Sequence, residues 1–190
     1  MTHSFANIAF TPVVKALQSQ QGSREKYAVF ENSVEHTAGL TQREVDFIEA
    51  RDSFYQATVS ETGWPYVQHR GGPQGFLKVL DNKTIAFADF RGNQQYLSVG
   101  NLVSNDRIAI IMVDYANQRR LKLLAHARVV LATDEPQLLA RLSEPSYPAR
   151  VERGFILQVE AWDWNCSQHI TPRFNENEVK SAMDQMQPFA

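Results

Sequence analysis

Apolar and polar positions along the chain change period near residue 53. Before that point Val13, Val14 and Leu17, then Tyr27 and Phe30 beyond Gly22, recur with helical spacing, which predicts two short helices over 11–32 hinged at Gln21-Gly22-Ser23. Thr41-Gln42-Arg43-Glu44 has the form of a capping box, in which the threonine hydroxyl and the glutamate carboxylate each satisfy a backbone N–H that the helix start leaves unpaired. With Val45, Phe47 and Ile48 as its apolar face, a helix over 42–51 follows.

Beyond it the pattern becomes short β-rich runs: 54–60, 65–70, 76–80, 85–90, 107–115, 121–131 and 155–164. Glu61-Thr62-Gly63 and Asp81-Asn82-Lys83 suit hairpin connections, because Gly and Asn tolerate the left-handed backbone of tight turns. Only two helices interrupt the strands, one over 93–105 opened by Gly92-Asn93-Gln94-Gln95 and one over 135–143 capped by Asp134. Six or seven strands within about 110 residues fit a closed or nearly closed antiparallel barrel, mostly β within the α+β class, rather than an alternating βαβ sheet. The expected organisation is an N-terminal helical extension (1–40), a barrel domain (41–175) and a C-terminal tail (176–190).

Composition narrows the partners. A chain of 190 residues that is 43% hydrophobic supports one core. A formal charge of −2 provides no broad basic surface, which argues against nucleic acid, and no apolar stretch approaches the roughly 18 residues of a membrane span. The first thirty residues carry no signal pattern, so the reading is a soluble cytoplasmic protein. One cysteine, Cys166, excludes an internal disulfide and a multi-cysteine metal site, and no bound metal is expected.

The dinucleotide and P-loop glycine patterns, the nucleophile elbow and the H-E-x-x-H pair are all missing. What remains is a scatter of cations and amides on strands. Gln68 and Arg70 alternate on one face, with His69 between them, and Arg120 and Lys122 share a face opposite Leu121 and Leu123. Gly71-Gly72-Pro73-Gln74-Gly75 reads either as a close backbone approach to a planar ligand or as a bulge or tight turn. His69 and His169 read as hydrogen-bonded structural residues or as neighbours in one pocket. A strand cation facing a glycine-introduced helix start suits a phosphate group, since the helix start offers free N–H groups and partial positive charge. Each charge-assisted contact to phosphate contributes about 1.5–3 kcal/mol.

On Gln68-His69-Arg70-Gly71-Gly72, Phe87-Ala88-Asp89-Phe90, Gly92-Asn93, Arg120-Leu121-Lys122-Leu123 and Asn165-Cys166-x-Gln168-His169-Ile170-x-Pro172-Arg173, residues 50–173 resemble the pyridoxamine 5′-phosphate oxidase-like family of FMN-binding split barrels. The resemblance implies a six- to seven-stranded antiparallel split β-barrel with N-terminal and peripheral helices. It also implies a homodimer holding FMN at the subunit interface, and an FMN-dependent oxidoreductase acting on a small substrate, with NAD(P)H or a redox protein as electron partner. Non-catalytic flavin binding or electron transfer, or the binding of haem or deazaflavin by the same fold, are the alternatives.

Carried over by residue, Gln68, His69, Arg70 and Gly71 fall where the family's strand meets the phosphate and ribityl region. Phe87, Ala88 and Asp89 fall at the ring edge. Gly92, Asn93, Gln94, Gln95 and Asn101 fall on the phosphate-binding helix start and its helix. Authentic oxidases carry Arg-Lys where this chain has Gln94-Gln95, which moves phosphate neutralisation onto Arg70, onto Lys122 or Arg120, and onto the helix start. The chain also ends Met183-Asp184-Gln185-Met186-Gln187-Pro188-Phe189-Ala190 in place of the oxidases' Arg-Leu-x-Pro segment. The resemblance therefore implies a substrate other than pyridoxamine phosphate, with His169 and Arg173 as a wall over the flavin or substrate.

Overall fold

The computed structural model describes residues 4–31 and 39–186. What was expected of 1–3, 32–38 and 187–190, at the ends of the extension and the tail, lies outside the described residues. Seven strands occupy the predicted β-rich runs: β1 (Ser53–Val59), β2 (Pro65–Gly71), β3 (Leu77–Asp81), β4 (Thr84–Phe90), β5 (Arg107–Asp114), β6 (Arg119–Leu131) and β7 (Val151–Asn165). They pair antiparallel in the order β2-β1-β5-β6-β7-β4-β3. Strands β2 and β3 are the two edges, so the sheet curls round without closing, as the nearly closed form of the expected barrel requires.

Length and irregularity explain the curl. β6 and β7 pair from Arg120–Asn165 to Leu131–Arg153, with a register shift between Leu124 and Ala125 that bends the ribbon. β7 then continues onto β4. Phe54, Phe87, Met112, Leu121, Leu123, Phe155 and Leu157 fill the interior and are almost wholly buried. Burial of each such side chain contributes about 1.5–3 kcal/mol. On β6 the alternation is clean: Leu121 and Leu123 point inward, while Arg120 and Lys122 lie half-buried on the outer face.

Helices close the exposed sides. The short helices α1 (Phe5–Ala9), α2 (Pro12–Gln20) and α3 (Arg24–Glu31) precede α4 (Gln42–Glu49). The predicted capping box at Thr41 is present, and the buried carboxylate of Glu44 also accepts from Trp164 Nε1 at 2.7 Å, which ties the helix to β7. After α5 (Leu97–Ser104), α6 (Pro136–Leu142) lays Leu139 and Leu142 on Ala86, Ala88 and Ile156, so β4 is buried on both faces. Gly154 permits that approach, because a Cβ there would stand 3.0 Å from Val130 and 3.2 Å from each of Leu139 and Leu142. A last helix, α7 (Glu176–Met186), ends the described chain. No helix among the described residues is long and apolar enough to cross a membrane.

Three local expectations change. Gly92-Asn93-Gln94-Gln95 does not open a helix: α5 starts at Leu97, behind Tyr96, whose backbone is left-handed at φ 55°. The Asn93 side chain accepts from the Gln95 N–H at 3.1 Å and Gln94 takes φ 60°, so a side chain-to-backbone turn competes successfully with helix at these residues. α6 is entered from Glu135 rather than from an Asp134 cap, with Pro136 setting the first turn. α1 and α7 were not anticipated, α1 being only five residues long and too short to show a period.

Candidate active site

The β1–β2 hairpin places Gln68 and Arg70 on its inner face, where Phe54 pairs with Arg70 and Gln56 with Gln68. The register of β4 against β7 brings Phe87 opposite Phe155 and Asp89 opposite Arg153. These two ladders supply a charged cluster over an aromatic floor. Arg70 Nη1 donates to Asp89 Oδ1, and the Arg70 guanidinium lies 5.8 Å from the Phe87 ring and 5.1 Å from the Phe155 ring. The two rings are stacked, with centroids 4.9 Å apart. From the other side Arg153 Nε sits 3.3 Å from Asp89 Oδ2, its Nη2 donates to Glu152 at 2.7 Å, and its guanidinium rests 4.7 Å from the Tyr96 ring.

A cleft of about 270 Å³ opens beside this cluster. Its far wall is the left-handed loop before α5 and the helix start itself, where Ser98 Oγ donates to Gln68 Oε1 at 2.7 Å. One helical turn further on, Asn101 Nδ2 donates to Thr58 Oγ1 at 2.9 Å and pins α5 to β1. Within the loop the Gln94 amide oxygen, in the orientation that satisfies both groups, accepts from Arg91 Nη2 at 2.7 Å and Nε at 2.8 Å.

The donors of this site exceed its acceptors. The guanidinium groups of Arg70 and Arg153 carry ten N–H bonds between them, whereas the Asp89 and Glu152 carboxylates offer about eight lone-pair positions, part of which Arg91 also claims. The Nε atoms of both Arg70 and Arg153 are buried and have no hydrogen-bond partner. Burial pushes the Asp89 carboxyl above the usual carboxylate range, against the opposing pull of Arg70 and Arg153.

Of the residues singled out in the sequence, Gln68, Arg70, Asp89, Gly92, Asn93, Gln94 and Gln95 meet at the cleft. The others stand elsewhere in the same chain. His69 faces the other side of β2 and packs on Tyr55 at 5.3 Å. Gly71 ends β2 beside it, and Phe87 and Ala88 are buried within and behind the floor. Arg120 and Lys122 lie on the outer face of β6, with Lys122 Nζ 3.4 Å from Asp163 and 4.4 Å from the Phe5 ring. The cations and amides of the several strands therefore do not share one face within a chain. His169 adopts φ 65° on an exposed segment, and Arg173 rests 5.0 Å from the Tyr115 ring in a second depression that also includes Gly72 and Gln74.

Sequence reasoning missed Arg153, Glu152, Tyr96 and Ser98. Arg153 arrives from β7 and adds a second cation beside Asp89. The one sequence signal was an oddity: Glu152-Arg153 interrupts an otherwise apolar strand start.

An open seven-stranded antiparallel barrel with its cleft at the edge strand β2, between the sheet and a loop-led helix, defines the split-barrel class. A model of the pyridoxamine 5′-phosphate oxidase family matches residues 40–161, more than half of the chain, and the chain belongs to that family. Among solved structures, a single-residue variant of HupZ from Group A Streptococcus is similar at TM-score 0.50 and 18% identity, over 66% of this chain and 99% of that one. A pyridoxamine 5′-phosphate oxidase candidate from Lactobacillus delbrueckii is similar at TM-score 0.50 and 21% identity, over 66% and 93% of the two chains. At these identities the likeness is one of fold. No curated protein matches the chain.

Proposed function

We propose that the cleft between β2, β4 and the loop ahead of α5 holds the phosphate end of FMN. The protein is then an FMN-dependent oxidoreductase acting on a small molecule, with electrons exchanged with NAD(P)H or a redox protein. The observation that carries this reading is the donor surplus: Arg70 and Arg153, set around Asp89 and Glu152, each keep a buried Nε without a hydrogen-bond partner, beside a loop turned by two left-handed residues. Such a donor set fits a phosphate, which brings three strong acceptor oxygens.

Arg70, Arg153, Ser98 and the backbone from Gly92 to Leu97 are the groups that would hold it. The flavin, when bound, supplies the two-electron chemistry; the protein supplies position, exclusion of water and local charge. Arg70 and Arg153 set the positive potential at the phosphate end, and the stacked Phe87 and Phe155 hold Arg70 from beneath.

The size of the cleft bears on assembly. Sites that enclose a drug-sized ligand measure about 300–1,000 Å³, so about 270 Å³ accommodates only part of the cofactor. A second copy of the chain would supply the remaining walls. Arg120, Lys122, His169 and Arg173 all lie away from the cleft of their own chain, and a homodimer is the arrangement in which they would reach the flavin.

The test compares FMN with riboflavin on the purified protein. Two phosphate contacts predict FMN binding about a hundredfold or more tighter than riboflavin. Equal affinities would remove the phosphate from this cleft. Anaerobic bleaching of bound FMN by NADH, NADPH or a small donor is expected; bound flavin that none of them reduces would make the protein a carrier instead of an oxidoreductase.

A further inference from the structure

The ion cluster in the cleft invites a question that charge neutralisation alone does not answer: why a site built to hold an anion should contain one of its own. Asp89 is 7% exposed and points its carboxylate at Arg70, which lines the cleft, and at Arg153 behind it. The facing charged groups are Arg70 from β2, Arg153 and Glu152 from β7, and Arg91 from the loop, which pairs with Glu152 at 3.6 Å. Glu152 pairs with Arg91 and shares Arg153 with Asp89, whereas Arg70 pairs with Asp89.

We propose that the Asp89 carboxylate occupies the ligand's place on Arg70 Nη1, so that a terminal anion engages that donor by exchange and the cleft thereby selects dianionic phosphomonoesters over monoanions of the same shape. This rests on the reading of the cleft as a phosphate site. The exchange is balanced in contacts: Arg70 passes from Asp89 to the incoming anion, and Asp89 keeps Arg153, which already approaches its second oxygen at 3.3 Å. A monoanion offers Arg70 no more charge than Asp89 does, so exchanging one for the other gains nothing at that guanidinium. A dianion outbids the carboxylate, and it also finds the unpartnered Nε–H of Arg70. The burial that pushes the Asp89 carboxyl upward works in the same direction, since it makes the internal anion easier to displace.

The probes are methyl phosphate and methyl sulfate, which share size and tetrahedral shape but carry two charges and one at pH 7.5. Titrations of the full-length protein, followed by ³¹P line broadening for methyl phosphate and by its displacement with methyl sulfate, give both affinities. Wild-type protein is expected to prefer methyl phosphate by at least tenfold. Asp89→Asn is expected to bind methyl sulfate at least tenfold more tightly than wild type, with the preference between the two probes narrowed to about threefold or less.

An Asp89→Asn protein that keeps the wild-type preference, or binds both probes more weakly, would overturn the exchange and leave Asp89 as a structural anchor. Should that variant not fold, Asp89→Ser carries the same expectations, and the wild type alone decides one arm: equal affinity for the two probes, or none for methyl phosphate, overturns the proposal. The reading of the ligand as FMN fails separately, when the protein discriminates the methyl esters as stated but binds FMN and riboflavin alike.

Discussion

Two buried aspartates, Asp89 and Asp114, each meet two arginines, and they behave in opposite ways. Asp114 ends β5, and its carboxylate is filled from its own turn: the backbone N–H of Asn117 at 3.0 Å, the Asn117 amide at 3.0 and 3.1 Å, and Arg119 at 2.9 Å. Arg51 adds charge at 3.6 Å. Burial pushes the Asp114 carboxyl up, but the bonds from Arg119 and Asn117 and the charge of Arg51 outweigh it and hold it below the usual range. Asp89, over its aromatic floor, hydrogen-bonds with Arg70 and ion-pairs with Arg153 among the described residues, and burial prevails.

The difference lies in who supplies the donors. A local turn delivers its N–H groups wherever the chain folds, so Asp114 is part of the scaffold. Asp89 depends on side chains brought from two other strands, which can be lent to something else.

The largest expected effect comes from removing the borrowed donor. Arg70→Met leaves Asp89 buried beside Arg153 alone, and breaking such a pair costs about 3–5 kcal/mol. Urea unfolding of the variant checks this; a loss under about 1 kcal/mol would mean that Asp89 does not depend on Arg70. The Arg70→Met/Asp89→Asn double variant should recover much of the loss, since the unpaired charge is gone.

Asp114→Ala comes next. It leaves the Asn117 and Arg119 donors without their acceptor and should cost about 1.5–3 kcal/mol by the same measurement. Unlike Arg70→Met, it should leave FMN binding unchanged, and a loss of FMN affinity would blur the distinction between scaffold and site.

The pH dependences should have opposite signs and a smaller size. Asp114 titrates lower in the folded chain than in the unfolded one, so its stabilisation is complete above the ordinary aspartate pKa of about 3.9 and disappears as pH falls below it. Asp89 titrates higher when folded, so its contribution is most favourable in acid and declines as pH rises through the ordinary range to the raised value. Unfolding midpoints of wild type, Asp114→Asn and Asp89→Asn between pH 3 and 7 should therefore diverge in opposite directions; curves of the same slope would refute the contrast.

The smallest effect on stability belongs to Lys122→Met. Its pairing with Asp163 is reached by water from both sides, with side chains 30% and 36% exposed, and such pairs contribute about 1 kcal/mol or less. If the homodimer reading holds, the same variant lowers the reduction potential of bound FMN while stability stays nearly constant. An unaltered potential with flavin bound removes Lys122 from the ring's surroundings.

Local patterns (β-rich runs, period-two alternation and the capping motif) were enough to locate seven strands, to put Gln68 with Arg70 and Arg120 with Lys122, and to seat α4, because each of these depends on residues within a few positions of one another. Alternation could not say which face of a strand turns inward toward a cleft, and within one chain the barrel puts Arg120 and Lys122 on the outer face of β6, away from Arg70. Nor could local patterns foresee that Asn93 and Gln94 would form a side chain-supported turn in place of a helix start. Arg153 entered the site only through its pairing with Asp89 across β4 and β7, a contact between segments far apart in the chain. Local sequence determined the strands and the donors available to them; the long-range register of the sheet decided which donors share a carboxylate, because cross-strand neighbours are set by the packing of the whole barrel and not by any one of its segments.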